Sequence, residues 1–219
     1  MKIILINHFQ NHNNLKFQEV MRILIIGGAG TIGRKVAEFL HSDNEVLIAG
    51  RTSGDITVDL TSSTSINKML KTVGKVNAIV CIAGEARWAD FKNLSEDDYY
   101  IGIRSKLMGQ VNLARLGQEY LEDGGSITLS TGILADDPVI KTASAAMVNG
   151  GIHSFVQAAA LELEHEKRLN AVSLGMVSDA YEKYKSYFPG HNPIPMDRVV
   201  NAYLKSIYGK GNGLIIRDY

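Results

Sequence analysis

The feature that most narrows what this chain can become is the stretch from Met21 to Gly33, MRILIIGGAGTIG, which runs directly into the helical pattern RKVAEFL. Ile23, Leu24, Ile25 and Ile26 form an unbroken apolar run, the pattern of a strand buried on both faces of a parallel sheet. Gly27, Gly30 and Gly33 follow at three-residue spacing. Without a Cβ, glycine lets the turn take positive φ and lets a pyrophosphate approach the main chain without collision. The helix that begins there aims unpaired amides and the positive end of its dipole at the same point, which favours an anion. Glycines also mark ordinary tight turns. Their place between a strand and a helix is what makes this triplet read as a nucleotide-binding turn.

Bulk properties set the limits around that turn. A length of 219 residues suits one large domain or two small ones, and 23 basic against 23 acidic side chains give no charge bias toward nucleic acid or a membrane surface. The single cysteine, Cys81, excludes an internal disulfide framework and a multi-cysteine zinc site, and no metal site is expected. It fits a reducing compartment, so a cytoplasmic location is expected. No apolar run approaches the roughly 18 residues a membrane span needs. The first twenty residues, MKIILINHFQNHNNLKFQEV, lack the long apolar core and small-residue cleavage site of a signal peptide. They read as an extension, with no ordered structure required of it, ahead of a nucleotide-binding unit over 21–219.

Strand and helix patterns then alternate along the chain. A helix is expected from about Thr31 to Leu40, and a second strand over Glu45–Ala49 ends at Gly50 and Arg51. An acidic residue at that point would bond the two ribose hydroxyls of NAD, whereas an arginine accommodates a 2′-phosphate. Here glycine stands where the acid would be and Arg51 follows, and its planar donors suit two phosphate oxygens at once. The expected cofactor is NADP(H), against the alternative of a solvated surface arginine. Ile56–Leu60 reads as a short strand that brings Asp59 near an adenine, and Ser62 or Ser63 caps a helix through Val73.

Val76–Ala83 is a further buried strand, and the small pair Ala83-Gly84 lets the backbone pass close to a ribose. One long helix is expected from Ser95 to Tyr120, with Ser95 as N-cap, acids in its first turn and Lys106 at the cleft edge. Gly124-Gly125 is read as its end, before the strand Ser126–Ser130. Ser130 and Thr131 close that strand where ligands bind in such sheets, which makes them site candidates beside the plainer reading of strand-end caps. A small-residue helix over Thr142–Glu164, a strand over Arg168–Leu174, a lid over about 176–196, a helix over Asp197–Tyr208 and a strand over Leu214–Ile216 complete the pattern. This order implies one α/β domain, a doubly wound parallel sheet with helices on both faces, the NAD(P)-binding Rossmann fold.

Taken together, GGAGTIG, Asp59-Leu60, Cys81-Ile82-Ala83-Gly84, GSITLST, ASAAMVNGG and RLNAVSLG occur in the order of the short-chain dehydrogenase/reductase landmarks. The chain from Met21 to Tyr219 resembles that family, and most closely its small atypical bacterial members. The resemblance implies cofactor contacts from Gly27, Gly30, Thr31, Ile32, Gly33, Arg51, Asp59, Leu60, Ala83 and Gly84, and a backbone contact from Val177 to the carboxamide. It places Lys141 at the position of the family's catalytic tyrosine and Ala145 at that of its lysine, so the Tyr-x-x-x-Lys pair is missing. Thr131, or Ser130 with a one-residue shift, matches the family's serine, and Lys106 matches its asparagine. Lys106 near the ribose is one substitute for the lost lysine, and Lys141 as proton donor is another if burial lowers its pKa.

The implied activity is hydride transfer between NADP(H) and a small carbonyl or alcohol. The alternative is a non-catalytic NADP(H)-binding sensor or interaction protein. The small-molecule substrate is not readable, and helix surfaces around Gly109–Gly117 and Ala143–Phe155 imply a homodimer or homotetramer.

Overall fold

The computed structural model describes residues 20–219. Apart from Val20, the N-terminal extension lies outside the described residues. The apolar run forms β1 (Arg22–Ile26), whose residues 23 to 26 are completely buried, as the unbroken pattern requires. Around it stand β2 (Glu45–Gly50), β3 (Ile56–Thr57), β4 (Val76–Cys81), β5 (Leu121–Gly132), β6 (Arg168–Leu174) and β7 (Ile215–Asp218). Every pairing is parallel, and the order across the sheet is β3-β2-β1-β4-β5-β6-β7. The direction of strand succession reverses between β1 and β4, and the carboxyl ends on either side of that reversal splay apart to leave a crevice.

Helices cover both faces. On one side α2 (Ser63–Val73), α4 (Met108–Gly117) and α5 (Ala143–Ala159) bury Ile66, Leu70, Leu113, Ile152 and Val156 against Ile79, Ile127 and Leu129. On the other, α1 (Thr31–Leu40) and α7 (Met196–Tyr208) bury Val36, Leu40, Val199, Tyr203 and Ile207 against Ile23, Ile25 and Val80. A third cluster caps the carboxyl ends of β5 and β6, where Ile133, Leu134, Ala145, Met176 and Phe188 meet. No helix among the described residues is long and apolar enough to cross a membrane.

Two segments differ from their sequence patterns. The long helix expected over Ser95–Tyr120 is broken into α3 (Glu96–Gly102), a π-helical turn over Ile103–Leu107, and α4. Its N-terminus follows expectation: Ser95 and Asp98 form a reciprocal capping box. Its end does not, because Gly124-Gly125 lies inside β5, where the pairing with β4 shifts register between Val76 and Ala78. A Cβ on Gly125 would stand 2.8 Å from Glu122 O, so the glycine serves this irregularity and not a helix end. The lid over 176–196 holds α6 (Tyr181–Tyr184) between two short 3₁₀ turns.

Leu113 is completely buried between α4 and the sheet. Leu113→Ala removes those contacts and leaves a cavity, so urea unfolding should show a loss of about 2–5 kcal/mol.

Candidate functional site

The three glycines do three different jobs. Gly27 has φ +84°, and a Cβ there would lie 2.5 Å from Ile82 O, so only glycine permits β1 to turn this close to the end of β4. Gly33 is buried, and a Cβ on it would drive into Gly27 O, so it lets α1 sit directly on the turn. Gly30 is the exposed N-cap of α1, where a Cβ would only touch Gly27 O at 3.4 Å, so its Cα stays accessible at the start of the helix. No side chain caps α1, which leaves the first-turn amides of Thr31, Ile32 and Gly33 aimed outward without a side-chain acceptor.

From this turn a cleft of about 270 Å³ extends along the carboxyl ends of β1, β2 and β4. It brings together Gly27, Arg51, Asp59, Leu60, Ala83 and Gly84 of the expected residues. Gly30, Thr31, Ile32 and Gly33 are not among the lining residues; they form the start of α1, directly after the Gly27 turn. Val177 lies apart, on the β6 side, where Ser178 N–H donates to Ile194 O and Ile194 N–H to Met176 O. Val177 O accepts from Ala180 N–H. Asp59 accepts from Thr61 N (2.9 Å) and Thr61 Oγ1 (2.7 Å), bonds that hold its carboxyl below the usual range, with the charge of Arg51 adding to the effect. The carboxylate closes its own turn. Glu85 and Ser105 also line the cleft, and nothing in their local sequence marks them: Glu85 N–H donates to Ser105 Oγ (3.2 Å), and Glu85 Oε1 stands 3.8 Å from Arg51 Nη1.

Lys106 lies in the π-helical turn, a local widening that recurs at functional sites. A Cβ on Gly84 (φ +113°) would lie 2.8 Å from Lys106 Cα, so the end of β4 and this turn are in direct contact. Burial pulls the Lys106 pKa down, and no carboxylate among the described residues pairs with it. Beside it the Cys81 thiol is completely buried, which pushes its pKa up to about 11 and keeps it a neutral thiol.

Ser130 departs from its expected role. Successive strand residues face opposite sides of the sheet, and Ser130 faces α7. Its hydroxyl donates to Cys81 O (2.5 Å) and accepts from Tyr203 OH (2.8 Å), with both partners completely buried. These bonds tie β5 to β4 and α7 and set the hydroxyl on the sheet face opposite α5. Lys141 is corrected as well. It is exposed, has φ +70°, and stands 3.7 Å from Asp90, so the burial that would make it a proton donor is missing.

Thr131 faces the α5 side, where its Oγ1 is 2.8 Å from His153 Nε2. Sequence reasoning passed over His153, although it falls two turns beyond Ala145 on the same face of α5. Asn149 lies between them, with Oδ1 buried and unpartnered among the described residues and its amide nitrogen 3.8 Å from the Cβ position of Gly132. Burial lowers the His153 pKa; Asp136 opposes this and Arg217 reinforces it. Asp136 is itself held by Arg217 Nε (2.9 Å) and Tyr219 OH, and Tyr219 OH meets Ser173 Oγ (2.9 Å). The lid aromatics lie on the body: the Trp88 ring centroid is 5.7 Å from that of Tyr184 and 5.8 Å from that of Tyr187.

Comparison with known proteins agrees with this architecture. Residues 27–201 match a family model described as enoyl-(acyl carrier protein) reductase. The structure of the protein lin1944 from Listeria innocua is 42% identical, with a TM-score of 0.89 over 91% of this chain and 100% of that one. A small-chain dehydrogenase is 28% identical, with a TM-score of 0.82 over 91% and 97%. A small-chain dehydrogenase in complex with NADPH is 25% identical, with a TM-score of 0.81 over the same shares. No curated protein matches.

His153 also yields a pH signature. Its folded pKa is below the ordinary histidine value of about 6.5, so below that pH the unfolded chain binds a proton that the folded chain resists. Stability should fall as pH drops from 7.5 to 5.5, and His153→Gln should flatten that slope, as read from urea midpoints.

Proposed function

Because this chain belongs to the short-chain dehydrogenase/reductase family, we propose that it is an NADP(H)-dependent oxidoreductase acting on a small carbonyl or alcohol. The observation that carries the reading is the Gly27–Gly30–Gly33 turn opening into a cleft with an arginine at its far end. The residues fit the coenzyme on their own geometry: an open Cα at Gly30, free amides at the start of α1, and a planar cation where a 2′-phosphate would reach. The NADPH bound to the 25% identical relative supports the same choice.

When bound, the coenzyme supplies the hydride. The chain's own residues bind and orient. The amides of Thr31, Ile32 and Gly33 take the diphosphate, and Arg51 takes the 2′-phosphate. The backbone at Asp59 and Leu60 flanks the adenine, and Ala83 and Gly84 leave room for a ribose. Val177 N–H, left over from its local hydrogen bonds, takes the carboxamide. Lys106, partly desolvated and without a carboxylate among the described residues, is the cation that would hold ribose hydroxyls. Thr131, backed by His153, is the remaining hydroxyl for a carbonyl oxygen. Lysine at 141 and alanine at 145 make this an atypical member without the Tyr-x-x-x-Lys pair.

A non-catalytic NADP(H)-binding sensor is the second reading. Ala145 favours it, being buried in the apolar cluster with Met176 and Phe188 at the position of the family's lysine. A cytoplasmic setting suits a single buried thiol. Exposed Tyr100, Ile101, Met108 and Met147 on α3, α4 and α5 offer a face for a homodimer or homotetramer.

Fluorescence titration should show NADPH binding tighter than NADH, with Arg51→Ala weakening NADPH about tenfold, the size of one lost charge-assisted contact. Turnover on a carbonyl panel that Lys106→Ala abolishes supports the enzyme; NADPH binding with no turnover anywhere on the panel supports the sensor. Light scattering should give a multiple of the chain mass, and a monomer refutes the oligomer.

A further inference from the structure

We propose that Glu85 sets how strongly the cleft prefers the 2′-phosphorylated coenzyme, by competing with that phosphate for the Arg51 guanidinium. The inference rests on the NADP(H) reading of Arg51.

Gly50 ends β2. A Cβ there would stand 2.5 Å from Ser53 O, so position 50 cannot carry the acidic side chain that reads unphosphorylated ribose. The acids of this cleft come from other elements. Asp59 follows β3, and its carboxylate is occupied by two bonds from Thr61. Glu85 comes from the loop after β4, with its backbone anchored by Ser105 and its side chain reaching back to within 3.8 Å of Arg51. The Arg51–Glu85 pair therefore spans the cleft from the β2 end to the β4 end, across the place where the Arg51 reading puts the 2′-phosphate.

Three charged side chains line that end: one arginine against two carboxylates, a net charge of −1. An incoming 2′-phosphate brings more negative charge to the same point, so it gains Arg51 only as Glu85 lets go. The competitor is easily displaced. Both partners are solvent-exposed, at 77% and 63%, and exposed ion pairs at this distance are weak. Glu85 thus trims the NADP(H) preference without abolishing it. NADH lacks the phosphate and makes no demand on Arg51, so it should not feel the competition.

The test is direct titration of NADPH and NADH into the full chain, wild type and Glu85→Gln, Arg51→Ala and the double variant. Glu85 is exposed, and equal thermal midpoints will confirm that the variants fold alike. Glu85→Gln should tighten NADPH about two- to fivefold, the range an exposed ion pair supports, with NADH unchanged within error. In the Arg51→Ala background the same substitution should do nothing. Equal tightening of both coenzymes, weaker NADPH binding, no change, or an effect that persists without Arg51 overturns the role of Glu85. If Arg51→Ala itself leaves NADPH binding untouched, the reading of Arg51 fails first, which is a different outcome from an intact arginine effect with a silent Glu85.

Discussion

The whole arrangement depends on a main-chain contact that leaves no room for a side chain: Gly27 against the carbonyl of Ile82, with Gly33 closing on Gly27 from the helix side. A larger residue at either glycine would force the ends of β1 and β4 apart or lift α1 off the turn. With both absent, the sheet's reversal of strand order, the N-terminus of α1 and the small pair Ala83-Gly84 converge on one crevice. Arg51 and Lys106 lie where they do because β2 pairs with β1 and the π-helical turn packs on Gly84 at the end of β4, and Asp59 follows the edge strand β3 that pairs with β2.

Much of this was legible because the signals are local. Four consecutive aliphatic residues and a glycine every third position announce a buried strand and a close-packed turn into a helix before any tertiary contact is known. Arg51 was legible for the same reason, being the residue after a strand end. The signals that failed are those that depend on register or on distant partners. Ser130 and Thr131 are adjacent, and a period of two puts them on opposite faces, so which one faces a ligand is decided by helices far away in sequence. The π-helical turn around Lys106 has the composition of an ordinary helix. Lys141 acquires its exposure from a positive-φ turn before α5 that no motif announces. Gly124-Gly125 read as a helix stop because the same dipeptide serves a strand irregularity equally well.

The two ends of the site differ in chemistry. The end at Arg51 is charged and exposed, so its interactions are individually weak and open to competition. Beyond β4 the interior is nearly dry: Cys81 and Tyr203 are kept neutral by burial, and Ala145 lies among Met176 and Phe188. The polar groups that α5 does present there, Asn149 and His153, are set one and two turns deeper than Ala145.

Trp88 is the chain's one tryptophan, and it lies in the loop after β4 with two tyrosines of the 176–196 segment against its indole. An indole's emission depends on its immediate surroundings, and here those surroundings belong to the one stretch that folds over the carboxyl ends of β5 and β6. The molecule thus carries an intrinsic optical probe where the loop after β4 meets the 176–196 segment, so any change in that packing can be followed by light without attaching a label.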